Sequence, residues 1–515
     1  MAGLGLAMAL GGRAAELKLI PLPEQVSQTA GELTVDARLT VAADAPLAPE
    51  ADLLAEELHL ARAKNAGDHG ILLTTNGTAG LGEEAYQLEV NADGVIIRAR
   101  TAAGAFYGGQ TLRQLAGQPG KAFPLALPFV RITDAPRYEW RGLLLDTSRH
   151  FFDVATIRRL TDWMADYKLN RLHLHLTDSP AWRMEVAKYP QLTERGARGN
   201  FNDSNAPAQF YTRAELREII AYAARRHIMV VPEIDMPGHA DAATRTFPEL
   251  DGGAHTFNPA SEATYGFLQN VLRETLALFP SPYIHLGGDE VNRSGWEKLP
   301  AVAQKMRTDG LPDTQALEGQ FYRRMAAFVL AQGRTPAGWD EVASNRPPAG
   351  TVVFWWRHNC PDSLALALAE GYQVVLTPRS PCYFDYPQDA AYPQIGWKLC
   401  NTPAAVYQGP AIPAKVPAAR LKQVLGVEGC VWTERIATVP YLEFMTMPRL
   451  AALGEMAWTA DGRRDYAGFT ARMQPYLRQY QEQGIHFYDA ANPAGSLHEA
   501  RPEGGNGAKL SLSGN

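Results

Sequence analysis

The sequence predicts an α/β protein: a (β/α)8 barrel of the TIM type, preceded by a small α+β domain. Three observations lead there. From residue 135 onward, short apolar runs alternate with longer amphipathic stretches, as strands and helices taking turns would. The string Asp134-Ala135-Pro136-Arg137 marks the boundary where that alternation begins. The end of each apolar run carries polar or aromatic residues, where a barrel keeps its chemistry. Six or seven strands in place of eight would point instead to an open, doubly wound sheet.

Bulk properties narrow the class further. A chain of 515 residues has room for a barrel and a smaller partner domain. Its apolar share of 46% and charged share of 20% are those of an ordinary globular protein. A net charge of -6 with no long basic run argues against nucleic acid or an anionic membrane as partner. No apolar segment is long enough to span a bilayer. Cys360, Cys382, Cys400 and Cys430 form no CxxC pair, which argues against a zinc knuckle or redox motif and leaves a disulfide open. The stretch Met1 to Leu10, within a segment 1–14 set apart from the first domain, is apolar and rich in small residues but lacks a basic start. It reads equally as a degraded signal sequence or a loose terminus, so the compartment stays open.

Residues 15–134 are expected to form the α+β domain. Leu17 to Leu22 and Gly31 to Val41 alternate weakly, as strands do. Pro49 to Ala63 carries Leu53, Leu54, Leu58 and Ala61 at helical spacing. Tyr86 to Val90 and Gly94 to Ala99 flank the turn string Asn91-Ala92-Asp93-Gly94 and predict a hairpin. Thr101 to Leu115 predicts a helix packed on that sheet. No acids or nucleophiles cluster here, so the domain reads as accessory.

The barrel is expected over 135–488. Its strands are read at Arg141 to Asp146, Arg171 to Leu176, Ile228 to Ile234, Tyr283 to Leu286, Arg334 to Ala337, Thr351 to Trp355, Gln373 to Leu376 and Gly426 to Val431. Asp153 predicts an N-cap for a helix over Val154 to Tyr167. Thr212, with Glu215 three residues on, predicts a capping box. After Tyr488 the chain is rich in Gly, Asn, Ser and Ala, which predicts a mostly disordered tail over 489–515.

The stretch Tyr283-Ile284-His285-Leu286-Gly287-Gly288-Asp289-Glu290 concentrates the chemistry. An apolar run ends in two glycines and two adjacent carboxylates, with Trp296 soon after. Tryptophans at other strand ends (Trp339, Trp355, Trp356, Trp432) and at Trp397 offer flat apolar walls. Nearby carboxylates and arginines offer paired hydrogen bonds, and this mixture suits a pyranose ring; barrel packing is the plainer account of each tryptophan alone. Glycoside hydrolysis with two carboxyls needs separations of roughly 5 Å or about 6.5–9.5 Å. Adjacent Asp289 and Glu290 fit that scheme poorly, because neighbours on a strand point to opposite faces. They fit a reaction in which one acts as acid while the other handles the substrate's own 2-acetamido group. A metal reading rests on His173 and His175, two apart on a strand, with Asp178, His239 and Asp289 to complete a site. The pair lies on the second strand and has no lysine or second HxH, so hydrogen bonds inside the barrel are the simpler role and no metal or other cofactor is expected.

The strings RGLLLDTSRHF (141–151), HLHLTDSPAWR (173–183), PEIDMPGH (232–239), HLGGDE (285–290), GWDE (338–341), YFDY (383–386) and VWTE (431–434) resemble glycoside hydrolase family 20, the β-N-acetylhexosaminidases. The resemblance runs from about 15 to 488, and GAFYGGQTLRQL (104–115) is similar to that family's non-catalytic domain. It implies an exo-acting, retaining hydrolase of terminal β-linked GlcNAc or GalNAc, working through an oxazolinium without a cofactor. It implies Glu290 as general acid/base, Asp289 on the acetamido N–H and Tyr383 on its carbonyl. Trp339, Trp356 and Trp432 are implied as walls, with Trp397 stacking at the far side. Arg149 and Glu434, with Asp385, are implied at the ring hydroxyls, and Asp178 and His239 as groups setting the charge of Glu290. Many members carry Asp-Asp, or Asp-Ala-Ala-Gly-Trp, where this chain has Asp178-Ser179-Pro180-Ala181-Trp182, which puts the contacts beyond the terminal sugar in question. An inactive binding protein on the same fold is the alternative; the intact Asp289, Glu290, Tyr383 and Trp432 argue against it.

Overall fold

The computed structural model describes residues 17–65, 70–117, 123–391 and 399–500. The chain divides into two compact units, residues 1–136 with 467–475, and residues 137–466 with 476–515.

The first unit is a seven-stranded mixed sheet with two main helices, Ala48–Leu58 and Ala102–Leu115. Tyr86–Asn91 and Gly94–Ala99 pair as the expected hairpin. Tyr86 donates from its hydroxyl to Asp134 at 2.7 Å, tying the hairpin to the strand Leu125–Asp134. The expected strand over Leu17 to Leu22 is absent, because Pro21 and Pro23 have no N–H to give a ladder. Gly31 to Val41 is not one strand but parts of two, Gln25–Val35 and Thr40–Ala43. Ile71–Thr74 and Leu125–Asp134 are strands the sequence reading did not assign. The second hides behind Pro128, which stands opposite Glu32 just where the register slips, the place a sheet tolerates proline.

The second unit closes eight parallel strands into a barrel. In chain order they are Trp140–Asp146, Arg171–His175, Met229–Glu233, Tyr283–His285, Thr335–Trp339, Val352–Trp355, Gln373–Leu376 and Val424–Val431. All eight expected strands are present, with ends shifted by at most two residues and the seventh unshifted. Every residue of the first strand is buried, as helices outside and side chains inside cover both faces. Two helix starts are built as read. Asp153 accepts from the Thr156 amide at 2.8 Å. Thr212 and Glu215 exchange hydrogen bonds in a capping box, which stabilises by about 1 kcal/mol.

Alternation along the sixth strand separates two neighbouring tryptophans. Val352, Phe354 and Trp356 belong to the inner core, together with Trp339, Tyr383 and Trp432. Trp355, one residue out of step, is buried but outside that cluster. The structure thus brings Trp356, not Trp355, to the interior. Residues 493–500, placed by the sequence reading in a disordered tail, form a helix, Pro493–Ala500; the segment 1–14 and residues 501–515 lie outside the described residues. All of the cysteines are free thiols.

Candidate active site

Past the fourth strand the backbone makes a turn that only glycine fits. Gly287 and Gly288 have φ of +66° and +94°, and a Cβ on Gly287 would lie 1.7 Å from the Asp235 carboxylate. The turn delivers Asp289 and then Glu290, itself left-handed at φ 49°. His239, after the third strand, is left-handed too, at φ 52°. Such conformations cost a side-chain-bearing residue of order 1 kcal/mol or more and gather at functional sites.

Arg149, Asp178, His239, Glu290 and Glu434 line a cleft of about 420 Å³. They follow five different barrel strands, and Arg149 ties two of the others, Asp178 and Glu434, together. Its guanidinium lies 2.6 Å from Asp178, 3.3 Å from Asp146 and 3.8 Å from Glu434. Burial opposes the charge of Asp178, but Arg149, His239 and His175 outweigh it and hold the carboxyl well below the usual range. His239 meets Asp178 at 3.2 Å through Nδ1 and Asp289 at 3.4 Å through Nε2. Burial likewise opposes its charge, yet Asp178, Asp289 and Asp235 raise its pKa well above the ordinary value. Glu290 is exposed as a residue, but the cleft still desolvates its carboxyl, and with the charge of Asp289 this raises its pKa. Burial likewise raises Glu434, against the pull of Arg149.

An aromatic group stands beside these charges. Trp339, Trp356, Tyr383 and Trp432 form one buried cluster. Tyr383 stacks on Trp356 with centroids 6.3 Å apart, and Trp432 lies 5.8 Å from Trp339 and 6.0 Å from Tyr383. The charged and aromatic groups meet where Arg149 lies over the Trp432 ring at 5.2 Å. Burial, with the nearby Cys430, Asp385 and Asp289, raises the Tyr383 phenol so that it keeps its proton, as a hydrogen-bond donor must. Asp385 is buried two residues on. Trp397 lies outside the described residues.

The structure also joins residues the sequence reading left unassigned. Glu341 accepts from the Trp356 indole at 2.9 Å; burial, Asp340 and Asp289 raise its pKa to about 8. Asp235 is buried, and burial with the Asp289 charge raises it well above the carboxylate range. Beneath the cleft, His173 and His175 do hydrogen-bond inside the barrel, to Glu428 at 2.8 Å and to Glu233 at 2.5 Å. Glu341, Asp235 and Glu233 lie inside GWDE (338–341) and PEIDMPGH (232–239), but nothing in their spacing says which way each points. Among the described residues, three groups of His and carboxylate ligand atoms lie close enough to share a cation: His173, Glu233 and His285; His175, Asp178 and Asp235; Asp235, His239 and Asp289. In the first two, nitrogen already faces oxygen at hydrogen-bond distance, so charge is balanced from within.

The comparisons agree on one family. The pattern described as "Glycosyl hydrolase family 20, catalytic domain" matches residues 138–461, and "Glycosyl hydrolase family 20, domain 2" matches 16–135. The chain is 32% identical over 501 residues to a beta-hexosaminidase of Porphyromonas gingivalis, covering 92% of this chain and 64% of that protein. It is 34% identical over 430 residues to a beta-hexosaminidase of Akkermansia muciniphila, covering 79% of this chain and 86% of that one. Among solved structures, the exo beta-N-acetylglucosaminidase from Vibrio harveyi in complex with N-acetylglucosamine superposes with a TM-score of 0.84 at 31% identity, over 92% of this chain and 78% of that one. The Streptomyces plicatus N-acetyl-beta-hexosaminidase in complex with Thio-NAglucal gives 0.81 at 31%, over 92% and 96%.

Proposed function

The chain belongs to glycosyl hydrolase family 20, and from that premise we propose that it is an exo-acting β-N-acetylhexosaminidase that removes terminal β-linked GlcNAc or GalNAc with retention. The observation that carries the reading is the divergence of two adjacent carboxylates past Gly287-Gly288: Glu290 lines the open cleft, while Asp289 faces His239 and its charge reaches Tyr383.

In this reading Glu290 is the acid. A raised carboxyl stays protonated to a higher pH than a free one and can give its proton to the leaving oxygen. Asp289 accepts the acetamido N–H, which makes the acetamido oxygen a better nucleophile, and Tyr383 donates to that oxygen and orients it. The oxygen attacks C1 as the glycosidic bond breaks, so an oxazolinium forms and no enzyme carboxylate is needed as nucleophile. Glu290, now ionised, takes a proton from water as it attacks C1; two inversions give net retention. Trp339, Trp356 and Trp432 wall the acetamido methyl and ring. Arg149 and Glu434, with Asp385, take the ring hydroxyls, and Asp178 and His239 set the charge around Glu290. The relatives that carry the hexosaminidase name support this substrate class.

The test is hydrolysis of an aryl β-N-acetylglucosaminide beside the matching aryl β-glucoside, with EDTA present. The expected result is strong activity on the first and almost none on the second. Comparable rates would require an enzyme-borne nucleophile and overturn the role of Asp289. Loss of activity with the chelator would favour a metal.

A further inference from the structure

Below the cleft, a fully buried carboxylate is shared between both halves of the site. Glu233 ends the third barrel strand with no exposed surface. Its Oε2 meets His175 Nδ1 at 2.5 Å, and His175 Nε2 meets Asp178 at 3.0 Å. Asp178 in turn holds Arg149 and His239, two basic groups that line the cleft. The other oxygen of Glu233, Oε1, accepts from the Trp339 indole at 2.9 Å.

We propose that Glu233 is a positioning residue for the reaction: one oxygen keeps His175 protonated on both ring nitrogens so that it locks Asp178, and the other fixes the Trp339 wall. This rests on the reading of the site given above.

The geometry favours that division of labour. A histidine between two carboxylates satisfies both only with a proton on each nitrogen. If it lost one, its remaining N–H would serve Glu233 or Asp178, not both, and Asp178 would lose one of its three cationic contacts. The groups facing Glu233 are His173 and His175 from the second strand, His285 from the fourth and Tyr322 from the helix Thr314–Ala331. Asp235 stands on its own strand's end. His175 is faced by Glu233, Asp178 and Asp146, with Asp235 also within 4.8 Å. Burial works against the charge of His175, but these carboxylates raise its pKa well above the ordinary value. A second buried carboxylate, Glu428, serves as the control. It binds His173 at 2.8 Å and Trp140 at 2.9 Å; among the described residues it reaches Glu233 only through His173 and holds none of the cleft residues directly.

The experiment reads the free enzyme first. In wild-type protein labelled with 15N-histidine, His175 is expected to carry protons on both nitrogens at pH 8; a neutral ring there overturns the proposal without any variant or substrate. In Glu233→Gln, His175 is expected to titrate at lower pH, and kcat/KM to fall along that titration by about 10- to 100-fold, the scale of a displaced site group. Glu428→Gln is expected to lower Tm but to leave the His175 titration and the shape of the pH profile alone. A variant-to-wild-type ratio that is constant across pH, or identical behaviour of the two variants, would reduce Glu233 to a structural role. Trp339→Phe reads the other arm: it should raise KM and leave the pH profile in place, and a shifted profile would count against the division. If wild-type enzyme fails on the acetamido substrate, the functional reading falls, while the histidine titration still decides the inference.

Discussion

At the scale of single residues, two neighbouring carboxyls divide one reaction. Glu290→Gln is expected to cut turnover of poor leaving groups far more than of activated aryl ones, since only the former need the proton; equal losses would remove Glu290 from the acid role. Asp289→Asn should slow the first step on every acetamido substrate, and near-wild-type rates would sink the substrate-assisted scheme. The pH dependence has a definite sign. Glu290 has a folded pKa above its unfolded value, so the protonated form favours the fold. That contribution is full below the unfolded pKa, about 4.3, and is lost as pH rises through the folded one. Glu290→Gln should therefore raise Tm at neutral pH, with the gain vanishing near pH 4. Glu341 obeys the same sign with an upper limit of about 8, so Glu341→Gln should flatten the decline of Tm between about pH 4 and 8. The acids at a strand end were legible in the sequence because Gly-Gly-Asp-Glu closes an apolar run. Glu233 was not, because a buried glutamate inside PEIDMPGH looks like any other until His175 and Trp339 are seen on its two oxygens.

At the scale of elements, turns and strand faces decide what reaches the cleft. Gly287→Ala should be severe: the backbone is left-handed and the new methyl would meet the Asp235 carboxylate, so losses above about 2 kcal/mol and of most activity are expected, read by urea melts and kinetics. Thr212→Ala removes one half of a capping box in which no predicted site residue takes part and should cost about 1 kcal/mol while leaving kcat unchanged. Barrel strands were readable because burial on both faces writes them as solid apolar runs, such as LLLD in 143–146. The accessory sheet was less so. Leu125–Asp134 carries a proline at its slip in register, and Ile71–Thr74 is too short for any period to show.

At the scale of the whole molecule, the barrel order and the place of the cleft followed from counting alternations, whereas the interlocking of charges beneath it did not. Residues far apart in sequence meet there: Glu428 of the last strand and Glu233 of the third face the same histidine, His173. A ligand that fits this cleft should stabilise the native protein by mass action. GlcNAc at about 100 times its dissociation constant is expected to add about 2.7 kcal/mol, seen as a rise in Tm that galactose does not produce. An equal rise with both sugars would deny the acetamido pocket. The separation of Trp355 from Trp356 carries a consequence for how such an enzyme can diverge. The two indoles are told apart only by parity along one strand. Inserting or deleting one codon upstream within that strand would send the stacking ring outward and the packing ring inward while leaving both tryptophans in the sequence. Descendants of this chain are therefore free to lengthen the loops above the barrel, but their sixth strand must keep its reading frame, residue for residue, against its neighbours.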